Sequence, residues 1–258
     1  MRLWTKPSAF TATSTPFIAT TLNNIGWLLQ SRGDLTEAEP FVREAMEMRM
    51  RLLGPDHADV SALMHNLAAL LAEMGDLEQA TPLMQEALEV RRRALGPDHA
   101  DIVPALHTLA EMLQREGDLD GPEALLREAV EIDQRSYGAS HPHVAASLQK
   151  LATLIHAQGD VDQAEAILRQ SIDIRTEALG SDHRDSLRTT IHLVEWLLAR
   201  QQHDEAESLL HHIYERSAAS DPATHQRSAA LLTQLYESLD RPEDAALWRQ
   251  RATVSTSP

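Results

Sequence analysis

The chain has 258 residues, 43% hydrophobic and 24% charged, which is enough apolar content for a buried core and excludes wholesale disorder. Asp and Glu outnumber Lys and Arg by 39 to 23, and a net charge of −16 repels phosphate backbones and anionic headgroups, so nucleic acid and membrane are rejected as partners. With no cysteine, disulfides, thiolate metal sites and cysteine nucleophiles are excluded as well.

Residues 1–17 read as a flexible N-terminal tail. "MRLWTKPSAFTATSTP" has no sustained apolar stretch, so it is not a secretory leader. No later run approaches the roughly 20 apolar residues of a membrane helix. A cytoplasmic location follows by default.

From residue 18 onward the chain is periodic. Gly-Asp pairs stand at Gly33-Asp34, Gly75-Asp76, Gly117-Asp118 and Gly159-Asp160, each step being 42 residues. Gly54, Gly96, Gly138 and Gly180 keep the same step, as do His57, His99, His141, His183 and His225. Three registers held across four or five copies mean a stack of one supersecondary unit. The expected units are 18–59, 60–101, 102–143, 144–185 and 186–227, followed by a terminal cap unit, 228–251, and a flexible tail, 252–258.

Each unit reads as two helices. In the second, Met64, Leu67, Ala68 and Leu71 recur at helical spacing until Gly75; Ala80, Leu83, Met84, Ala87 and Leu88 do the same until Gly96. No sustained strand alternation occurs, so the fold class is all-α. In the third unit Pro122 falls in the first turn of its second helix, where proline is tolerated. In the fifth, Gln201-Gln202 replaces Gly-Asp, and the cap unit has a shorter turn.

The corner "LGPDHAD", present twice, has the look of a metal or catalytic motif. It also reads as helix punctuation: Gly54 ends one helix, Pro55 forbids continuation, and Asp56 caps the next with Asp59 completing a capping box. Asp98 with Asp101, Asp182 with Asp185, and Ser140 in the third copy repeat the pattern. The histidine is then expected to pack over the preceding helix end and bond a carbonyl. Equivalent rings in stacked helices are roughly 8–10 Å apart, too far to share an ion. No phosphate-cradling glycine loop, nucleophile elbow or zinc-protease helix is present, so no enzyme activity, metal or cofactor is expected.

The small residues decide between a HEAT unit and an elongated tetratricopeptide unit. Leu67-Ala68, Leu71, Ala80, Met84 and Ala87 resemble the tetratricopeptide pattern, which returns as Ile25-Gly26, Leu29, Ala38, Val42, Ala45 and as Leu151-Ala152, Ile155, Ala164, Leu168, Ser171. The 42-residue version, longer than the usual 34 or so, resembles the repeat of kinesin light chain and its bacterial relatives.

That resemblance implies a right-handed α-solenoid of stacked antiparallel helix pairs, a tetratricopeptide-like superhelix. It also implies a concave groove lined by the first helix of each pair. The residues this places in the groove are Asn23, Asn24 and Trp27; His65 and Asn66; His107 and Glu111; Gln149, Lys150 and Thr153; and Arg188, His192 and Glu195. The implied function is a protein-binding adaptor or scaffold. Its cargo is expected to be a neutral or basic peptide or protein rather than an acidic one, because few bases line the groove. The alternative is a self-assembling module, a homo-oligomer formed through the exposed first repeat, or a piece of a larger signalling protein.

Overall fold

The computed structural model describes residues 9–118, 120–218 and 220–254. They form twelve α-helices and no strand: α1 (Ala9–Ser31), α2 (Leu35–Leu53), α3 (Ala58–Glu73), α4 (Leu77–Leu95), α5 (Val103–Arg115), α6 (Asp120–Tyr137), α7 (Pro142–Gln158), α8 (Val161–Leu179), α9 (Arg184–Ala199), α10 (His203–Ser217), α11 (Pro222–Ser238) and α12 (Pro242–Val254). A single 3-10 turn, Ala100–Ile102, precedes α5. Consecutive helices pack as antiparallel pairs.

Two compact units divide the chain, residues 1–132 and 133–258. In the first, Ala38, Leu67, Ala68, Ala80, Met84 and Leu106 are fully buried and belong to one core. In the second, Ala152, Leu168, Val194, Ala206, Ile213 and Leu232 play the same part. The alanines lie where two helix backbones approach, and the larger chains fill the spaces beside them. Gly26 is the extreme case: an added Cβ would overlap Val42 Cγ2.

Helix α1 begins at Ala9, inside the segment expected as a tail, because nothing between Ala9 and the first Gly-Asp turn ends a helix except Pro16, which does not stop it. Helix α12 likewise runs to Val254, into the expected C-terminal tail. Residues 1–8 and 255–258 of those tails lie outside the described residues. Helix α1 contains no Asp, Glu, Lys or Arg in its 23 residues. Its Ile18 and Leu28 are 44% and 55% exposed, whereas Val60 and Leu70, one period later, are both at 0%. On α3 that face packs against α2, where Met46 and Met50 join Val60.

The corners obey a different grammar from the one expected. The N-cap of α3 is His57, in extended conformation, and its Nδ1 accepts the Asp59 N–H at 3.1 Å. His99, His141 and His183 repeat this on the N–H groups of Asp101, His143 and Asp185, each at 3.2 Å. The ring therefore supplies the capping acceptor that the sequence reading gave to Asp56, Asp98, Asp182 and Ser140. Asp56 instead pairs with Arg93 at 2.6 Å. His225 alone bonds a carbonyl, with Nδ1 2.8 Å from Tyr214 O, and there Asp221 is the cap.

The Gly-Asp turns divide the work between two residues. Glycine at positive φ ends the first helix, and the aspartate caps the second: Asp76 accepts the Gln79 N–H at 3.1 Å and Asp160 the Gln163 N–H at 3.2 Å. Gln201 takes the glycine's place in the fifth repeat and still adopts φ +60°.

Candidate functional site

Five of the expected groove residues meet in the first unit. Asn23, Asn24 and Trp27 from α1, with His65 and Asn66 from α3, line an open cleft of about 730 Å³. Asn66 Nδ2 donates to Asn23 Oδ1 at 3.2 Å, joining the two helices by their amides. Trp27 is 62% exposed at this wall. His65 is half-buried, and desolvation, helped by the charge of Arg91, depresses its pKa to about 4, so the ring is neutral. His107 and Glu111 lie on α5 and are not among the residues lining this cleft.

Several lining residues, Gln30 and Glu73 among them, are not among the expected groove residues. Gln30 Nε2 donates to Glu73 Oε2 at 2.7 Å, closing one end of the cleft. The signal was available: Asn23 with Asn66 and Gln30 with Glu73 are each separated by 43 residues, one period plus one. Residues at that separation face one another across neighbouring first helices.

In the second unit the same separation brings Gln149 Nε2 to 3.1 Å from His192 Nδ1. Thr189 Oγ1 lies 3.2 Å from Gln149 Oε1, and Thr153 Oγ1 donates back to Gln149 O at 2.9 Å. Lys150 is half-buried beside them on α7. The charges expected to stand open are engaged. Arg188 Nε donates to Asp221 Oδ2 at 2.5 Å, and this bond holds the carboxyl below the usual carboxylate range. Glu195 accepts from Arg227 at 2.7 Å. Asp221 is the N-cap of α11 and Arg227 lies within that helix, in the degenerate part of the period, where the repeat pattern gave no hint of them.

One corner inverts its charges. Arg49, Arg91 and Arg175 occupy equivalent positions and act on Asp59, on Asp101 and on Asp185 respectively. In the third repeat the same two places hold Asp133 and His143. Asp133 is 3% exposed and accepts Ser147 Oγ at 2.5 Å. Burial pushes its pKa up, against the opposing effects of Ser147, His143 and His141. Tyr137, His141 and His143 stack beside it with ring centroids 4.7–4.9 Å apart. Among the described residues no group of three or more His, Asp or Glu side chains forms a metal-holding cluster. No described helix is long and apolar enough to cross a membrane.

Paired helices of this length, with small residues at their crossings and polar ladders along the first helices, define a tetratricopeptide repeat protein, a class that generally serves as a protein-interaction module. Within that class the chain belongs to the MalT-like TPR region family, whose profile it matches over residues 7–248. No curated protein matches the sequence.

Among solved structures, the chain is similar to the kinesin light chain TPR-like repeats of Podosopora anserina, with 24% identity and a TM-score of 0.69 over 80% of this chain and 98% of that one. BtubC (BKLC) from P. vanneervenii is 18% identical with a TM-score of 0.57, covering 96% and 91%. PilF of Pseudomonas aeruginosa is 16% identical with a TM-score of 0.61, covering 92% and 91%. These likenesses establish the shared fold.

Proposed function

We propose that the protein is a non-catalytic adaptor that grips a neutral or basic extended peptide along its first helices. The observation that carries this reading is the cleft of the first unit, where the Asn23–Asn66 amides and the exposed Trp27 stand together. Amides supply both donors and acceptors to a peptide backbone, and an aromatic ring at a cleft wall anchors an apolar side chain. Glu73 at one end and the acid surplus of the chain favour a basic partner over an acidic one. In the second unit Arg188, already bound to Asp221, has little charge left for an acidic ligand.

Partner capture with the intact protein, followed by titration against Trp27→Ala and Asn23→Ala/Asn66→Ala, tests this. Loss of at least tenfold in affinity supports the cleft, and unchanged binding by both variants rejects it.

A second reading rests on α1. Its exposed Ile18 and Leu28, against fully buried counterparts at Val60 and Leu70, suit self-association through the first repeat. Molar mass measured across a hundredfold concentration range decides it: a constant monomer mass ends this reading, and a dimer abolished by Leu28→Glu supports it.

A further inference from the structure

In the second unit, away from the polar ladders, α8, α9 and α10 border an open cavity of about 270 Å³. The repeat itself explains why it is there. Thr190 on α9 stands where Met64, Leu106, Leu148 and Leu232 stand in the other repeats, and those four side chains are all 5% exposed or less. Thr176 on α8 stands where the three preceding repeats carry Met50, Arg92 and Gln134. Two short side chains have thus replaced two long ones at one helix crossing, and the backbone has not closed over the gap.

The cavity has distinct chemistry at its floor and rim. Leu187 and Leu193 are buried, and with Ile172 and Leu209 they make the floor apolar. The rim carries the Asp173 carboxylate, the Thr176 and Ser181 hydroxyls and the His212 imidazole, all exposed. The one guanidinium on the rim, Arg169, is already bonded to Glu165 at 2.9 Å and to Glu205 at 2.8 Å. The Thr190 hydroxyl donates to Ser186 O at 2.9 Å, so it makes no polar demand on an occupant. Asp173 is thus the carboxylate of the lining, set above an apolar floor, and the open cavity as a whole is larger than the roughly 150 Å³ known to admit a benzene ring.

We infer that this cavity is a binding site for a small amphipathic amine, its single-ring or branched-alkyl body seated on Leu187, Leu193 and Leu209 and its ammonium group on Asp173. Apolar contact supplies affinity there, and the charge-assisted bond to the carboxylate supplies selection for the cation. The cavity uses none of the residues assigned to the peptide groove, although α9 contributes to both.

Benzylamine and its neutral analogue benzyl alcohol, titrated separately into the full chain with calorimetry and leucine methyl shifts as readouts, test the proposal. Saturable one-to-one binding of benzylamine is expected, about tenfold tighter than benzyl alcohol. Asp173→Asn removes that preference and leaves benzyl alcohol unchanged. Thr190→Leu restores the side chain of the other repeats and abolishes both. If that variant fails to fold, Thr176→Gln, which also restores a residue used elsewhere in the chain, takes its place. Absence of saturable benzylamine binding by the native chain overturns the proposal. So does native-like binding by the filled variant, or equal affinity for the two probes.

Discussion

His57 Nδ1 holds the Asp59 N–H at 3.1 Å, a ring nitrogen doing for α3 what a side-chain oxygen does at most helix starts. Because an N-cap contributes about 1 kcal/mol, His99→Ala should lower stability by about that amount, while His99→Asn, an oxygen acceptor of similar reach, should leave it within a few tenths. Urea unfolding followed by far-UV circular dichroism measures both. Equal losses for the two variants would show that packing of the ring, and not its nitrogen, holds the corner.

The two glycine registers differ in kind. Gly159 is left-handed at φ +96°, ψ −2°, which asparagine tolerates. Gly96, at φ +92°, ψ 152°, lies in a region only glycine enters freely, although an added Cβ there meets nothing within 4 Å. Gly159→Asn should therefore cost under about 1 kcal/mol and Gly96→Asn about 1–3 kcal/mol, the difference being backbone strain alone. Thermal unfolding of the pair gives the comparison directly.

The folded-state pKa of His65 is depressed to about 4 from 6.5, so its contribution to stability is complete above pH 6.5. As pH falls below 6.5 the unfolded chain takes up a proton that the folded chain refuses, and stability drops progressively until about pH 4. The loss is on the order of 3 kcal/mol. His65→Gln should flatten this part of the stability–pH curve. A curve of unchanged slope would mean that the ring titrates freely in the folded protein.

For Asp133 the sign is opposite. Its pKa is raised by burial, so ionisation in the folded state costs stability, and that cost appears as pH rises through the folded-state value. Asp133→Asn keeps an acceptor for Ser147 and removes the charge. The variant should be more stable than the native chain at pH 7 and lose that advantage as pH falls below about 3.8. Paired urea titrations at pH 3.5 and 7 test this, and a disadvantage at pH 7 contradicts it.

The helix pairs were legible because glycine spacing and apolar spacing agree in the first four repeats. Ala38, Ala80 and Ala164 mark the crossings in the sequence and are all at 0% exposure. The corner was misread for a physical reason. Asp56 and His57 are adjacent acceptors, and only the extended backbone of His57, φ −83° and ψ 140°, selects the ring. The cleft at Asn23, Trp27 and Asn66 followed from the tetratricopeptide resemblance. Its closing pair, Gln30 and Glu73, needed the 43-residue separation that only the stacked helices reveal. Arg188 looked open because its partner Asp221 falls where the period decays.

Helix α1 carries no formal charge, and the residues before it add only Arg2 and Lys6, so the whole acid surplus resides beyond Ser31. An incoming cation is attracted from a distance by the later repeats, at a rate that added salt suppresses. On the proposed reading, an apolar side chain seated against the Trp27 ring is held by short-range contact that salt barely touches. Ionic strength would then slow arrival, set by the later stretch of the chain, without shortening that contact.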